Sequence, residues 1–177
     1  MPVQIGAKSH HFTEPLGLLS DCHRRIEMFL GSLSAIAKVA GPPLNDEGRR
    51  TLENALRYFR EAAPKHTADE EQSLFPRLSA LSKESVTVLA RMEELEKEHQ
   101  WAESLHAEVD RLGQKYLFNG GLSDHDSAEF SNAIEALAAM YQRHITVEDE
   151  LLFPFAEKAL TRADRLAIAA EMAARRR

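Results

Sequence analysis

The chain has 177 residues, long enough to bury one sizeable core, and no shift in composition marks a second domain, so residues 1–177 are read as a single domain. Its 22 Lys and Arg are dispersed among 28 Asp and Glu, for a formal net charge of −6, which leaves no basic face for a phosphate backbone and excludes nucleic acid as an expected partner. The single cysteine, Cys22, excludes an intramolecular disulfide and a Cys-rich zinc or iron–sulfur site, so any metal would bind through nitrogen and oxygen.

The opening MPVQIGAKSHHF lacks an apolar signal core, and no later stretch is apolar for long enough to cross a bilayer. A cytoplasmic protein without membrane association is expected. Glycine and proline gather between long periodic stretches, the composition of helices joined by short loops.

The first predicted helix starts near Thr13 or Pro15 and ends before Gly41-Pro42-Pro43, with the stripe Leu16, Leu19, His23, Ile26, Leu30, Leu33 and Ala37. The second begins after Asn45 and runs through Leu52, Leu56, Phe59, Ala63, His66, Glu70 and Leu74 to a stop at Phe75-Pro76, with a kink from Pro64. The third and longest starts near Ser82 or Ser85, carries Val88, Met92, Leu95, His99, Ala102, His106, Val109 and Tyr116, and ends at Asn119-Gly120-Gly121. The fourth starts in 123-SDHDS-127 and runs through Phe130, Ile134, Leu137, Tyr141, His144, Glu148 and Leu151 to Phe153-Pro154. A short fifth helix, from Thr161 to about Ala174, should pack Leu166 and Ile168 or Ala169 against one end. Alternating spacings of three and four put one seam on each long helix. The expected fold is all-α: an antiparallel up-down-up-down four-helix bundle with a short extra C-terminal helix.

The helices repeat in pairs. A shift of 78 positions lays the second helix on the fourth: Asn54-Ala55 on Asn132-Ala133, His66 on His144, Glu70 on Glu148, and Leu74-Phe75-Pro76 on Leu152-Phe153-Pro154. A shift of 76 lays the first on the third, His23 on His99 and Glu27 on Glu103. Two copies of one helical hairpin related by a pseudo-twofold axis would bring four histidines and two carboxylates to one level of the core.

Residues four apart share a helix face, so His66 and Glu70, or His144 and Glu148, can reach one point. An unpaired buried carboxylate costs several kcal/mol, and no Lys or Arg shares these seam positions, so a pair of cations is the natural compensation. Nitrogen and oxygen ligands in this number suit iron or manganese better than four-coordinate zinc. One histidine on an apolar face is more often a satisfied core residue; four at the level where the helices cross are a different matter.

The segments 21-DCHRRIE-27, 66-HTADEEQSLFP-76, 144-HITVEDELLFP-154 and 170-AEMAARRR-177 resemble, in order, spacing and helix placement, the bacterial hemerythrin-like (HHE cation-binding) domains of the hemerythrin family. The resemblance implies two oxo- or hydroxo-bridged iron ions, manganese or a mixed pair being the alternative. It makes His23, His66, His99 and His144 terminal ligands and Glu70 and Glu148 bridges. Oxygen-carrying hemerythrins have His-x-x-x-His on the third helix, where this chain has His99-x-x-x-Glu103, so a seventh histidine ligand is missing. The pattern is nearer the di-iron domain of bacterial iron–sulfur-cluster repair proteins, without the cysteine-bearing N-terminal domain found there.

Glu103 stands in the missing histidine's place and is a candidate ligand, with a supporting or surface role as its alternative; Glu27 is a weaker candidate of the same kind. His106 either gates access or packs, and Tyr141 either faces a bound ligand or fills the core. Phe59, Leu74, Phe75 and Phe153 are expected to form a dry wall, while Cys22, about 100° round the helix from His23, is read as structural. His10, His11 and His125 lie outside the seams.

The function expected is a non-haem di-iron protein that binds or senses a small ligand such as oxygen, nitric oxide or iron. The alternatives are a di-iron or di-manganese enzyme acting on oxygen, peroxide or nitric oxide, an iron donor of the iron–sulfur-repair type, and a metal-free interaction bundle.

Overall fold

Prolines and polar caps set where each helix begins. A computed structural model describes residues 11, 13–81 and 86–177, and every regular element among them is helical. Of the two expected starts, α1 (Pro15–Ala37) takes the proline, whose fixed φ and missing N–H suit a first turn. Asn45 caps α2 (Asp46–Glu61) by accepting a hydrogen bond from Gly48 N–H, and Ser123 caps α6 (Asp124–Val147) by accepting one from Asp126 N–H. Between them α5 (Val86–Asn119) ends at Gly120, whose φ of 71° is the left-handed conformation expected there. The expected cap of that helix at Ser82 or Ser85 lies outside the described residues.

The Pro64 break appears at Ala62, where α2 gives way to α3 (Ala63–Asp69). The expected stops at Phe75-Pro76 and Phe153-Pro154 do not occur. Each proline is preceded by a five-residue π turn, Glu70–Leu74 and Glu148–Leu152, and the helix resumes as α4 (Phe75–Leu81) and α7 (Phe153–Ala159). A proline breaks a helix by lacking one N–H and by striking the carbonyl four residues back; a widened turn displaces that carbonyl, and the proline then sits in the first turn of a new α segment. The extra residue in each π turn also slips the seam by one. Leu152 is therefore fully buried, while Leu151, placed on the stripe by simple periodicity, is 39% exposed.

Helix α1 packs against α2 and α6, and α5 packs against the same two. The apolar core falls into two clusters with a polar level between them. On one side lie Ile26, Leu30, Leu52, Leu56, Phe59, Val109 and Leu137, and on the other Leu16, Leu19, Leu74, Phe75, Met92, Leu95, Leu152 and Phe153.

A capping box between Thr161 and Asp164 starts α8 (Arg162–Ala174), which closes the second cluster with Ile168 and Met172. Leu166, expected to pack, is 48% exposed, because the buried stripe runs Ile168, Ala169, Met172. Arg77 pairs with Glu171, and Arg175 and Arg176 both reach the buried Asp69 carboxylate, at 2.9 and 2.5 Å, tying α8 to the end of α3. Among the described residues no helix is long and apolar enough to cross a membrane.

Candidate metal centre

Each of the four main helical runs delivers one histidine to the polar level: α1 His23, α3 His66, α5 His99 and α6 His144, all buried. The two π turns begin on the two glutamates, Glu70 and Glu148, which are fully buried. Two groups of potential ligand atoms result. His23, His66, Glu70 and Glu148 form one, and His99, His144, Glu70 and Glu148 the other, the atoms of each group lying within 4.8 Å of one another. Glu70 and Glu148 belong to both, the geometry of carboxylates shared between two positions.

The inward atoms crowd together, and although His99 Nε2 and His144 Nε2 pair at 3.1 Å, most of the others do not satisfy one another. His23 Nε2 lies 3.0 Å from Glu148 Oε2, His66 Nε2 3.2 Å from Glu70 Oε1, His99 Nε2 3.4 Å from Glu70 Oε2, and His144 Nε2 3.3 Å from Glu148 Oε2. Yet His23 Nε2 and all four oxygens of the two glutamates are buried without a well-aligned hydrogen bond. Buried polar atoms are ordinarily paired, and five orphans aimed at one space fit a set of metal ligands. No Lys or Arg contributes to either group.

Three of the four outward nitrogens are anchored, while His66 Nδ1 is buried without a partner. Asp149 lies 3.0 Å from His23 Nδ1, Glu71 2.8 Å from His99 Nδ1, and Glu98 2.9 Å from His144 Nδ1. A carboxylate behind a ligating imidazole fixes its ring and its tautomer and raises its basicity. Phe153 stacks on His23 with centroids 5.3 Å apart and Phe75 on His99 at 6.3 Å, so both LFP segments furnish the dry wall expected of them.

None of the three anchoring carboxylates was singled out from the sequence, although the repeat carried the signal: Glu71 and Asp149 each follow a core glutamate and correspond under the 78-residue shift. Each reaches across to the histidine of the other hairpin. Glu98 directly precedes His99, and its counterpart under the 76-residue shift is Cys22, which directly precedes His23. Cys22 is buried and its thiol accepts a hydrogen bond from Arg25 Nη2; it lies beside the His66 imidazole, whose Nδ1 has no hydrogen-bond partner, so the residue read as structural neighbours the fourth histidine without anchoring it. Burial pushes the thiol up in pKa, and the His66 and Arg25 neighbours more than reverse this.

Burial alone would lower His23, but Asp149, Glu148 and Glu70 push it up to about 12. His144, also opposed by burial, is raised to about 10 by Glu148, Glu98 and Glu70. Glu70 is held well below the usual carboxylate range by His66, His23 and His99, against the effect of its burial.

The other sequence candidates fall elsewhere. Glu103 is exposed on α5 beside a cleft and Glu27 is exposed on α1; neither carboxylate joins the two ligand groups. Four residues advance an α-helix by about 40° past a full turn, and on α5 no π turn follows to compensate. Tyr141 and His106 meet in a hydrogen bond of 3.0 Å. His11 is exposed and His10 lies outside the described residues. His125 sits with Asp126 and Glu129 on the surface, where Lys115 already neutralises Asp126.

Residues 14–156 match the family model described as Hemerythrin HHE cation binding domain. An uncharacterized protein of Haemophilus influenzae is 30% identical over 148 residues, covering 79% of this chain and 77% of that protein.

Proposed function

Because the chain belongs to the hemerythrin HHE cation-binding family and folds its histidines and glutamates into a metal-binding core, we propose that it is a non-haem di-iron protein that binds or senses a small ligand such as oxygen, nitric oxide or iron itself. His23 and His66 would hold one ion, His99 and His144 the other, and Glu70 and Glu148 would span both, in four helices running alternately up and down. Manganese or a mixed pair would fit the same donors. The observation that carries the reading is the set of buried, unpaired inward atoms. When bound, such a pair supplies a redox-active Lewis acid; the chain's own groups hold it, neutralise it and shield it. Asp149, Glu71 and Glu98 keep three imidazoles oriented, and Phe75 and Phe153 exclude water from two of them. A cytoplasmic setting is part of the proposal.

Glu103, exposed on α5, is not assigned to the metal. The test is to purify the chain from iron-supplemented cells, measure the metal and record the near-ultraviolet and visible spectrum. About two irons per chain are expected, with absorption bands that vanish in His66→Ala and His144→Ala. Iron retained in both variants, or a melting temperature indifferent to exhaustive chelation, would overturn the assignment.

One observation favours an enzyme as the second reading. The Tyr141 hydroxyl, hydrogen-bonded to His106, has its ring 6.1 Å from that of His144, which places a proton-bearing group beside the centre. Catalytic turnover of oxygen, peroxide or nitric oxide that Tyr141→Phe slows, without loss of metal, would support this reading; stoichiometric binding alone would remove it.

A further inference from the structure

The two π turns begin on matching glutamates, but the residues on one face of each do not match. Under the 78-residue shift Asp69, Ser73 and Arg77, spaced four apart along the first turn, correspond to Val147, Leu151 and Phe155 along the second. The first set is polar, with Asp69 and Ser73 fully buried. The second is apolar: Val147 and Phe155 pack against the core, and Leu151 is exposed.

The end of α8 supplies partners for the polar set. The helix packs against α1, α3 and the first π turn. Arg175 Nη1 and Arg176 Nη2 each take one oxygen of the Asp69 carboxylate, and Arg175 Nη2 donates to the Ser73 hydroxyl at 2.8 Å. Arg77 Nη1 donates to the Ser73 carbonyl at 2.8 Å, while Nη2 of the same guanidinium pairs with Glu171 at 2.7 Å. Glu171, Arg175 and Arg176 therefore tie down residues 69, 73 and 77 together.

What they tie down carries the metal centre. Asp69 directly precedes Glu70 and lies three residues after His66, so the three share one turn of backbone. Both Glu70 oxygens are buried without a well-aligned hydrogen bond, so the backbone that carries this side chain sets its direction. A buried carboxylate stripped of its partner is costly. Asp69 accordingly stays with its two arginines, and the turn cannot shift without breaking them. At the matching places the second turn offers only apolar packing.

We propose that Arg175 and Arg176 are positioning residues for the metal centre: acting through Asp69 and Ser73, they hold Glu70 and His66 in place, and the end of α8 is a latch on metal release. The inference rests on the metal-centre reading of the four histidines and two glutamates. It also makes the two halves of the repeat unequal, since loosening the latch frees Glu70 and leaves Glu148 where it is.

Two measurements on the full chain test this. In the iron-loaded protein, removal of the metal by excess chromophoric chelator should quicken by about tenfold or more in Arg175→Ala and Arg176→Ala, as when other groups behind metal ligands are lost. Arg176→Lys, which keeps a charge for Asp69 without the guanidinium fork, should fall between Arg176→Ala and the wild type. Met172→Ala is the control: it empties a fully buried site on the same helix, should lower the melting temperature, and should leave release near the wild-type rate. In the metal-free protein, amide hydrogen exchange should quicken at residues 70–74 in the arginine variants and stay unchanged at 148–152. Ser73→Ala, which removes only one bond from Arg175, takes their place should they fold poorly, with the same direction expected. Release unchanged in folded variants, release quickened as much by Met172→Ala, or exchange quickened equally in both turns overturns the proposal. The two assignments stay apart: a wild type that takes up no iron removes the di-iron reading, whereas the exchange contrast between the turns is read without metal and decides the latch by itself.

Discussion

The α1–α6 and α2–α5 seams are related by the internal repeat, yet one is filled and the other holds a cleft. Ile26, Leu30 and Ile145 occupy the first, while Ala102, His106 and Thr67 stand at the matching places of the second. The polar level between the two apolar clusters did not diverge in this way: His23 and His99, His66 and His144, Glu70 and Glu148 remain matched, as do the π turns that begin on the glutamates. Groups that must meet at one centre constrain one another, whereas a seam is constrained only by the volume available, and a duplicated hairpin can reshape it one side chain at a time.

The largest effect that would break this comparison is expected in the filled seam. Ile26→Ala should destabilise the protein by about 2–5 kcal/mol, because it removes a fully buried side chain that its neighbours cannot replace. Urea unfolding would measure it, and a loss below about 1 kcal/mol would show the filled seam to be as loose as the open one.

The same pairing can be tested at the metal centre. Glu98 anchors His144, and its counterpart Cys22 faces His66. Glu98→Ala should weaken metal binding by about 10- to 100-fold, with Cys22→Ala costing less because His66 Nδ1 makes no hydrogen bond that the change would remove. Competition with a chromophoric chelator would rank them, and equal losses would mean that thiol and carboxylate hold their histidines alike.

A smaller effect concerns pH. In the metal-free protein His144 and His23 are raised from 6.5 to about 10 and about 12. A raised histidine binds its proton more tightly folded than unfolded, so its stabilisation is complete below about pH 6.5 and is lost as the pH climbs through the folded value. The melting temperature of the chelated protein should therefore fall from pH 6.5 toward pH 10. The metal-loaded protein should not share that fall, since its histidines are already neutral ligands. Parallel melting profiles with and without chelator would contradict this.

The smallest effect belongs to the open seam. Ala102→Ile should change stability by less than about 1 kcal/mol, since the cleft has room for the added carbons. A loss comparable with that of Ile26→Ala would mean that the walls cannot accommodate what their counterparts hold.

Much of this was legible before any coordinates. Period and caps placed α1, α2, α5, α6 and α8, and the 76- and 78-residue shifts placed four histidines and two glutamates on facing seams, because helix geometry ties spacing in sequence to direction in space. Local rules failed where two of them competed. Proline predicted a stop at Pro76 and Pro154, and the π turns before them removed the clash on which that prediction rested. The same turns moved Leu151 out of the core and Leu152 into it.

What the sequence alone determined was a duplicated helical hairpin whose seams carry histidine and glutamate at one level, because those residues repeat with the period of the helix. Only the tertiary structure decided which groups stand behind the histidines and which seam stays open. Asp149 meets His23 across 126 positions and Glu98 meets His144 across 46, and such pairings depend on the rotation and separation of packed helices. The cleft has the same origin: Ala63 and Ala102 line one cavity only because packing sets α3 and α5 side by side.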